Sequence, residues 1–165
     1  MKKIFFLLIL IIGIKAQAQK NVNDFKTIDN VIKVLYNVIS GPAGDRDWDL
    51  FKSLFHEKAI MGTTGTNKEG VKVFNYFTPN DYVDRNGPAF KSRGFFEEEL
   101  ERITHQYGGV AQVFTSYQYR FEKEGEIIKR GINCIQLAFE KDRWYITQII
   151  WEAETDDNKL PRLSK

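Results

Sequence analysis

VAQVFTSYQYRFEKEGEIIKRGINCIQLAFEKDRWYITQIIWEA, the stretch from Val110 to Ala153, holds three runs of apolar residues at alternate positions, broken by two turn signals. The first run extends to Glu122, and Gly125 marks the turn to the second, Ile127–Phe139. Lys141-Asp142 marks the turn to the third, Trp144–Ala153. A period of two is that of a strand with one buried face, and short polar gaps join such strands as hairpins. In the first run Ala111, Val113, Thr115, Tyr117 and Tyr119 form the less polar face. In the second, Asn133, Ile135, Leu137 and Phe139 do so. The third offers two nearly equal faces, Trp144, Ile146 and Ile150 against Tyr145, Ile149 and Trp151. Upstream, Phe95–Gln106 keeps the same alternation on one side, which makes four successive strands.

Further toward the N-terminus the period changes. From Asp24, the residues Phe25, Ile28, Ile32, Leu35 and Ile39 mark one stripe of an amphipathic helix, with Asn23 or Asp24 as its cap and Gly41-Pro42 as its stop. A second helix carries Trp48, Phe51, Leu54 and Phe55 on one face, capped by Asp45 or Asp47. Two short β-like stretches follow, Ala59–Gly62 and Val71–Phe77, joined by a polar turn from Gly62 to Gly70. Thr78-Pro79-Asn80-Asp81 opens a third helix, and Asn86-Gly87-Pro88 is expected to weaken or end it. Helices in the first half and an antiparallel sheet in the second indicate an α+β fold. Strands this long should twist and curl, so the sheet is expected to wrap the N-terminal helices as an open cone.

Residues 1–18 read as a secretory signal peptide. Lys2 and Lys3 precede the apolar run Ile4–Ile12, and Ala16-Gln17-Ala18 supplies the small residues a leader peptidase accepts. That run is too short to span a bilayer of about 30 Å as a helix. The chain of 165 residues carries 24 basic and 22 acidic side chains. Removal of Lys2, Lys3 and Lys15 with the leader turns the net charge from +2 to −1. The apparent basicity therefore gives no reason to expect a nucleic-acid partner. The expected organisation is a leader (1–18), one domain (19–153) and a polar, loose tail (154–165). The expected location is the periplasm or the medium, with no membrane attachment once the leader is removed. A single cysteine, Cys134, excludes a disulfide framework, and two histidines, His56 and His105, are too few to suggest a metal centre. No cofactor is indicated.

The order helix–helix–β–helix–four strands resembles the nuclear-transport-factor-2-like superfamily, including its SnoaL-like branch. The similarity rests on Gly41–Trp48 followed by Phe51–Phe55, on Gly94-Phe95-Phe96-Glu97, on Arg130–Asn133 with Ile135–Leu137, and on Arg143–Trp151. It covers roughly residues 25–153 and resembles exported, mostly uncharacterised members. It implies a cone-shaped (cystatin-like) roll with a pocket between the concave sheet and the first and third helices. A fold of this kind serves steroid isomerases, dehydratases, cyclases and binding modules alike, so chemistry must come from the site.

The candidates for that pocket are Tyr82, Tyr117, Asn133 and Trp151, which would place a few polar groups on an apolar wall around a small hydrophobic molecule. The alternative is an isomerase, dehydratase or cyclase acting on a steroid- or polyketide-like substrate, with His105 and Tyr117 as catalytic groups. Glu97, Glu99 and Glu101 alternate and should share one face, most simply a solvated one. On the convex side Phe114 and Ile132, ringed by Gln112, Ser116 and Gln136, suit a homodimer contact.

Overall fold

The computed structural model of the protein describes residues 25–163; the leader and the caps expected at Asn23 and Asp24 lie outside them. The first helix, α1 (Ile28–Ile39), begins later than Asp24, because the Thr27 hydroxyl accepts the Asn30 N–H at 3.2 Å. Phe25 precedes it in a turn and is still buried, with the Arg143 guanidinium 4.2 Å from its ring centre. The apolar stripe holds: Ile28, Val31, Ile32, Leu35, Tyr36, Val38 and Ile39 are all buried. Helix α2 (Trp48–Ser53) is capped by Asp47, whose carboxylate accepts the Leu50 N–H at 2.8 Å. Between them, Arg46 donates to the carbonyls of Ile39, Gly41, Pro42 and Gly44 at 2.8–3.1 Å. One guanidinium thus gathers the carbonyls at the end of α1 and along its turn, of which Gly41 also accepts the Phe95 N–H.

Strands β1 (Phe55–Thr66) and β2 (Lys72–Phe77) form a hairpin. Its turn is shorter than Gly62–Gly70, since the Asn67 side chain accepts the N–H groups of Glu69 and Val71 and closes it locally. Helix α3 (Pro79–Ser92) starts with a reciprocal Thr78–Asp81 capping box and runs straight through Asn86-Gly87-Pro88 instead of ending there. The reason lies in packing. Phe90 is buried and its ring stacks on Trp48 and Phe95 at 5.9 and 4.7 Å. Burying that side chain yields about 2–3 kcal/mol and each ring pair about 1, against about 3 for an internal proline.

The remaining strands are β3 (Phe96–Tyr107), β4 (Val110–Arg120), β5 (Lys129–Glu140) and β6 (Arg143–Ala153). The sheet order is β2-β1-β6-β5-β4-β3, antiparallel except for the β1–β6 pair, and the sheet is curved and unclosed. Two bulges decide which side chains face the helices. In β6, Ile146 pairs with Leu137 but Gln148 with Gln136, so Thr147 is extra. The inward set therefore changes from Trp144 and Ile146 to Ile149 and Trp151, which explains the two nearly equal faces. In β3, Glu99 pairs with Tyr117 but Glu101 with Ser116, which leaves Leu100 extra and exposed. On β4 the inward residues are Ala111, Val113, Thr115 and Tyr117, and on β5 Asn133, Ile135 and Leu137, whereas Phe139 at the end is largely exposed.

The tail is not loose. Glu154 takes a bidentate ion pair from Arg130 and accepts the Leu160 N–H, and Leu163 is buried with its N–H on the Glu101 carboxylate at 2.9 Å. Asn158, Leu160 and Pro161 line a groove with Phe114, Ile132, Cys134 and Ile150 of the convex face. The chain's own C-terminus thus lies over part of the surface expected to meet a second copy.

Candidate functional site

A cavity of about 380 Å³ lies between the concave sheet, α1 and α3. Leu35, Ile39, Phe51, Met61 and Ile149 line it with aliphatic and aromatic surface, and Phe77, Phe90, Phe95, Tyr119 and Phe121 add a wall of rings. Tyr82, Tyr117, Asn133 and Trp151, the four side chains expected there, all line it. Trp151 meets Phe77 and Tyr82 edge-on at 5.4 and 6.4 Å. His105 does not belong to the cavity: it is exposed and pairs with Gln112 beyond the β3 bulge.

Glu97 is the residue the sequence reading passed over. It shares parity with Phe95, and both line the cavity, so the three glutamates do not form one solvated face. Glu97 and Glu99 precede the bulge and stand opposite Tyr119 and Tyr117. Glu101 follows it, paired with Ser116 on the other face, where its carboxylate holds the tail. The available signal was the neighbourhood: a glutamate two residues after Phe95, in a strand whose partner presents Tyr117 and Tyr119. The bulge at Leu100 hid it.

The backbone of Glu97 is clamped on both sides. The Ser40 hydroxyl, just past α1, donates to the Glu97 carbonyl at 2.9 Å and accepts its N–H at 3.0 Å. Gly41 and Phe95 exchange a second pair of backbone hydrogen bonds at 2.7 and 3.0 Å. This fixes the end of α1 against the start of β3 and aims the carboxyl into the cone.

Burial pushes the Glu97 carboxyl up to about 8, partly opposed by a hydrogen bond from Asn133 that favours the charged form. Glu97 is half-buried over the whole residue and lines the cavity. At neutral pH the carboxyl is therefore mostly protonated. Tyr82 and Tyr117 are pushed well above the ordinary phenol range by burial first and by Glu97 second, so both keep their protons.

Asn133 is held from behind. Its Nδ2 donates to the Tyr36 hydroxyl at 3.0 Å, Tyr36 lies 3.4 Å from the Thr115 hydroxyl, and Thr115 donates to Glu99 at 2.7 Å. Glu99 pairs with Arg102 at 3.3 Å, and Arg102 reaches Asp29 on α1 at 3.1 Å. The direction of donation follows from the ends, an amide NH2 at one and a carboxylate at the other. By contrast, the hydroxyls of Tyr82, Tyr117 and Tyr119 have no hydrogen-bond partner among the described residues. Tyr117 leans over Gly131, where a side chain would collide with its hydroxyl and with the Glu152 carbonyl. The site can therefore surround an apolar body and offer it one protonated carboxyl, three free phenols and an anchored amide.

No family model matches this sequence, and no curated protein is significantly similar to it. Solved structures do match its fold. A protein of unknown function with a cystatin-like fold from Nostoc punctiforme superposes with a TM-score of 0.59 at 10% identity, over 78% of this chain and 90% of that one. A nuclear-transport-factor-2-like protein of unknown function from Pseudomonas putida gives 0.58 at 10% identity, over 84% and 93%. A suggested ketosteroid isomerase from Shewanella frigidimarina gives 0.52 at 15% identity, over 79% and 97%.

Proposed function

We propose that the protein binds a small, mainly apolar molecule in its cone and holds that molecule's polar group against Glu97, Tyr82 and Tyr117. The observation that carries this reading is an aromatic cavity of about 380 Å³ with a single carboxyl, Glu97, on its wall, which burial pushes up to about 8. A neutral carboxyl both donates and accepts, so it suits a carbonyl, hydroxyl or amide oxygen better than a hydrated ion. The leader pattern supports export with removal of residues 1–18, so the mature chain should begin at Gln19.

Replacing Tyr117 by Phe keeps the packing and removes one hydroxyl that has no protein partner among the described residues. Binding of a neutral aromatic probe, 2-naphthamide, should weaken about fivefold, with the melting temperature unchanged. A lower melting temperature with unchanged binding would assign the hydroxyl to structure. Failure of the wild-type protein to bind any such neutral probe would overturn the reading.

A second reading is catalytic, and one observation favours it: a carboxyl that titrates near neutrality, beside phenols that stay protonated. Such a carboxylate can take a proton from carbon next to a carbonyl, while a phenol donates to the oxygen that gains charge. This is isomerase-, dehydratase- or cyclase-type chemistry on a steroid- or polyketide-like substrate. In it Glu97 and Tyr117 take the roles, not His105. Loss of turnover in Glu97→Gln with ligand binding retained is the expected result.

A further inference from the structure

The cavity's rim carries charge that the binding reading above does not use. Glu97 is the only acidic residue among those lining the cavity, and two arginines, Arg85 of α3 and Arg93 just past its end, line it as well. Both are exposed. Each guanidinium sits over a ring at the edge of the pocket, Arg85 over Phe77 at 5.1 Å and Arg93 over Phe121 at 3.9 Å. Neither lies within ion-pair distance of a carboxylate among the described residues, although other arginines on the concave side and the outer surface are paired. Asp81, one turn before Arg85, feels its charge but spends its carboxylate on the Thr78 backbone and hydroxyl.

The two stand eight positions apart, about 12 Å along the helix axis. They therefore flank opposite ends of the opening, Arg85 near Phe77 and Trp151, Arg93 near Phe95 and Tyr119. A guanidinium resting on an aromatic face keeps its N–H fork free, and that fork fits a carboxylate with two parallel hydrogen bonds.

We propose that the natural ligand is a small amphiphilic acid, with its apolar body in the cone and its carboxylate at the rim on Arg85 or Arg93. This rests on the binding reading of the same cavity. The interior is consistent with it. Aromatic walls exclude a hydrated ion from the floor, and a protonated Glu97 does not repel an anion entering above it. A cationic amphiphile would instead meet two unneutralised guanidinium groups at the entrance.

Calorimetric titration at pH 7 with 2-naphthoate and its neutral isostere 2-naphthamide tests this on the full chain. The acid should bind about tenfold more tightly than the amide to the wild-type protein. In the Arg85→Gln, Arg93→Gln double variant that advantage should fall below about twofold while amide affinity stays the same. The single variants show which arginine carries it. Both side chains are exposed, so unchanged circular dichroism and melting temperature are expected. Equal binding of acid and amide by the wild-type protein would refute the charged rim and leave the binding reading standing. An advantage that persists in the double variant would also refute it. Binding of neither probe would overturn the binding reading and this inference together.

Discussion

A single glutamate sets the character of the cone. Glu97 reaches a proton affinity near 8 because the fold removes it from water and gives it one hydrogen bond, from Asn133, in partial compensation. That has a thermodynamic consequence with a definite sign. In the unfolded chain the carboxyl ionises near the ordinary value of 4.5, so between there and about 8 the native state binds the extra proton. Stability should therefore fall as pH rises through that window, and level off above it. Glu97→Gln removes the ionisation and keeps the shape and an amide that can still pair. Its stability should match the wild type near pH 4 and exceed it by roughly 3–5 kcal/mol at pH 9. Urea unfolding of both proteins at the two pH values checks this, and parallel pH profiles would contradict it. The same residue marks the limit of what was legible. Tyr117 and Asn133 were readable as wall residues from strand alternation and Tyr82 from the third helix, whereas Trp151 stood on a strand whose two faces looked nearly equal. Glu97 was not readable, because its two acidic neighbours made a polar face look continuous.

At the scale of elements, the missed features are those that propensity and period do not encode. The bulges at Leu100 and Thr147 each insert one residue and exchange the two faces of a strand partway along it. An alternation count sees only the average of the two halves. That average gave β6 two equal faces and gave β3 three aligned carboxylates. The Asn86-Gly87-Pro88 run in α3 is a strong local stop, overridden by the burial of Phe90 against Trp48 and Phe95. Such overrides depend on partners more than thirty residues away in the sequence or across a loop. The start of α3, in contrast, is local and was readable: the Thr78 hydroxyl accepts the Asp81 N–H at 3.1 Å and Asp81 accepts the Thr78 N–H at 2.8 Å. Thr78→Ala should destabilise the protein by about 1–2 kcal/mol, measured by urea unfolding. It should also loosen the helix that carries Tyr82 and Arg85 and leads into Arg93. A change below a few tenths would mean that packing alone holds the helix end.

Across the whole molecule, the sheet has one face committed to the cavity and the other partly covered by the chain's own tail. Leu160 and Pro161 line a groove with Phe114 and Ile132, Leu163 is buried, and the tail is anchored by Arg130–Glu154 at one end and by Glu101 at the other. Removing residues 154–165 should expose that apolar patch. Light scattering at micromolar concentration should then report a larger average mass for the truncated chain than for the full one, and equal masses would show that the tail shields nothing. On the other face the curved sheet and its helices form an apolar chamber whose one carboxyl among the described lining residues, Glu97, is mostly protonated at neutral pH. Carbon-13 NMR titration of the glutamate carboxyls, with Glu97 assigned from its loss in Glu97→Gln, measures this directly. A midpoint near 8 is expected for Glu97. A midpoint in the ordinary carboxylate range, near 4.5, would mean that Glu97 faces water, and would contradict the site described above.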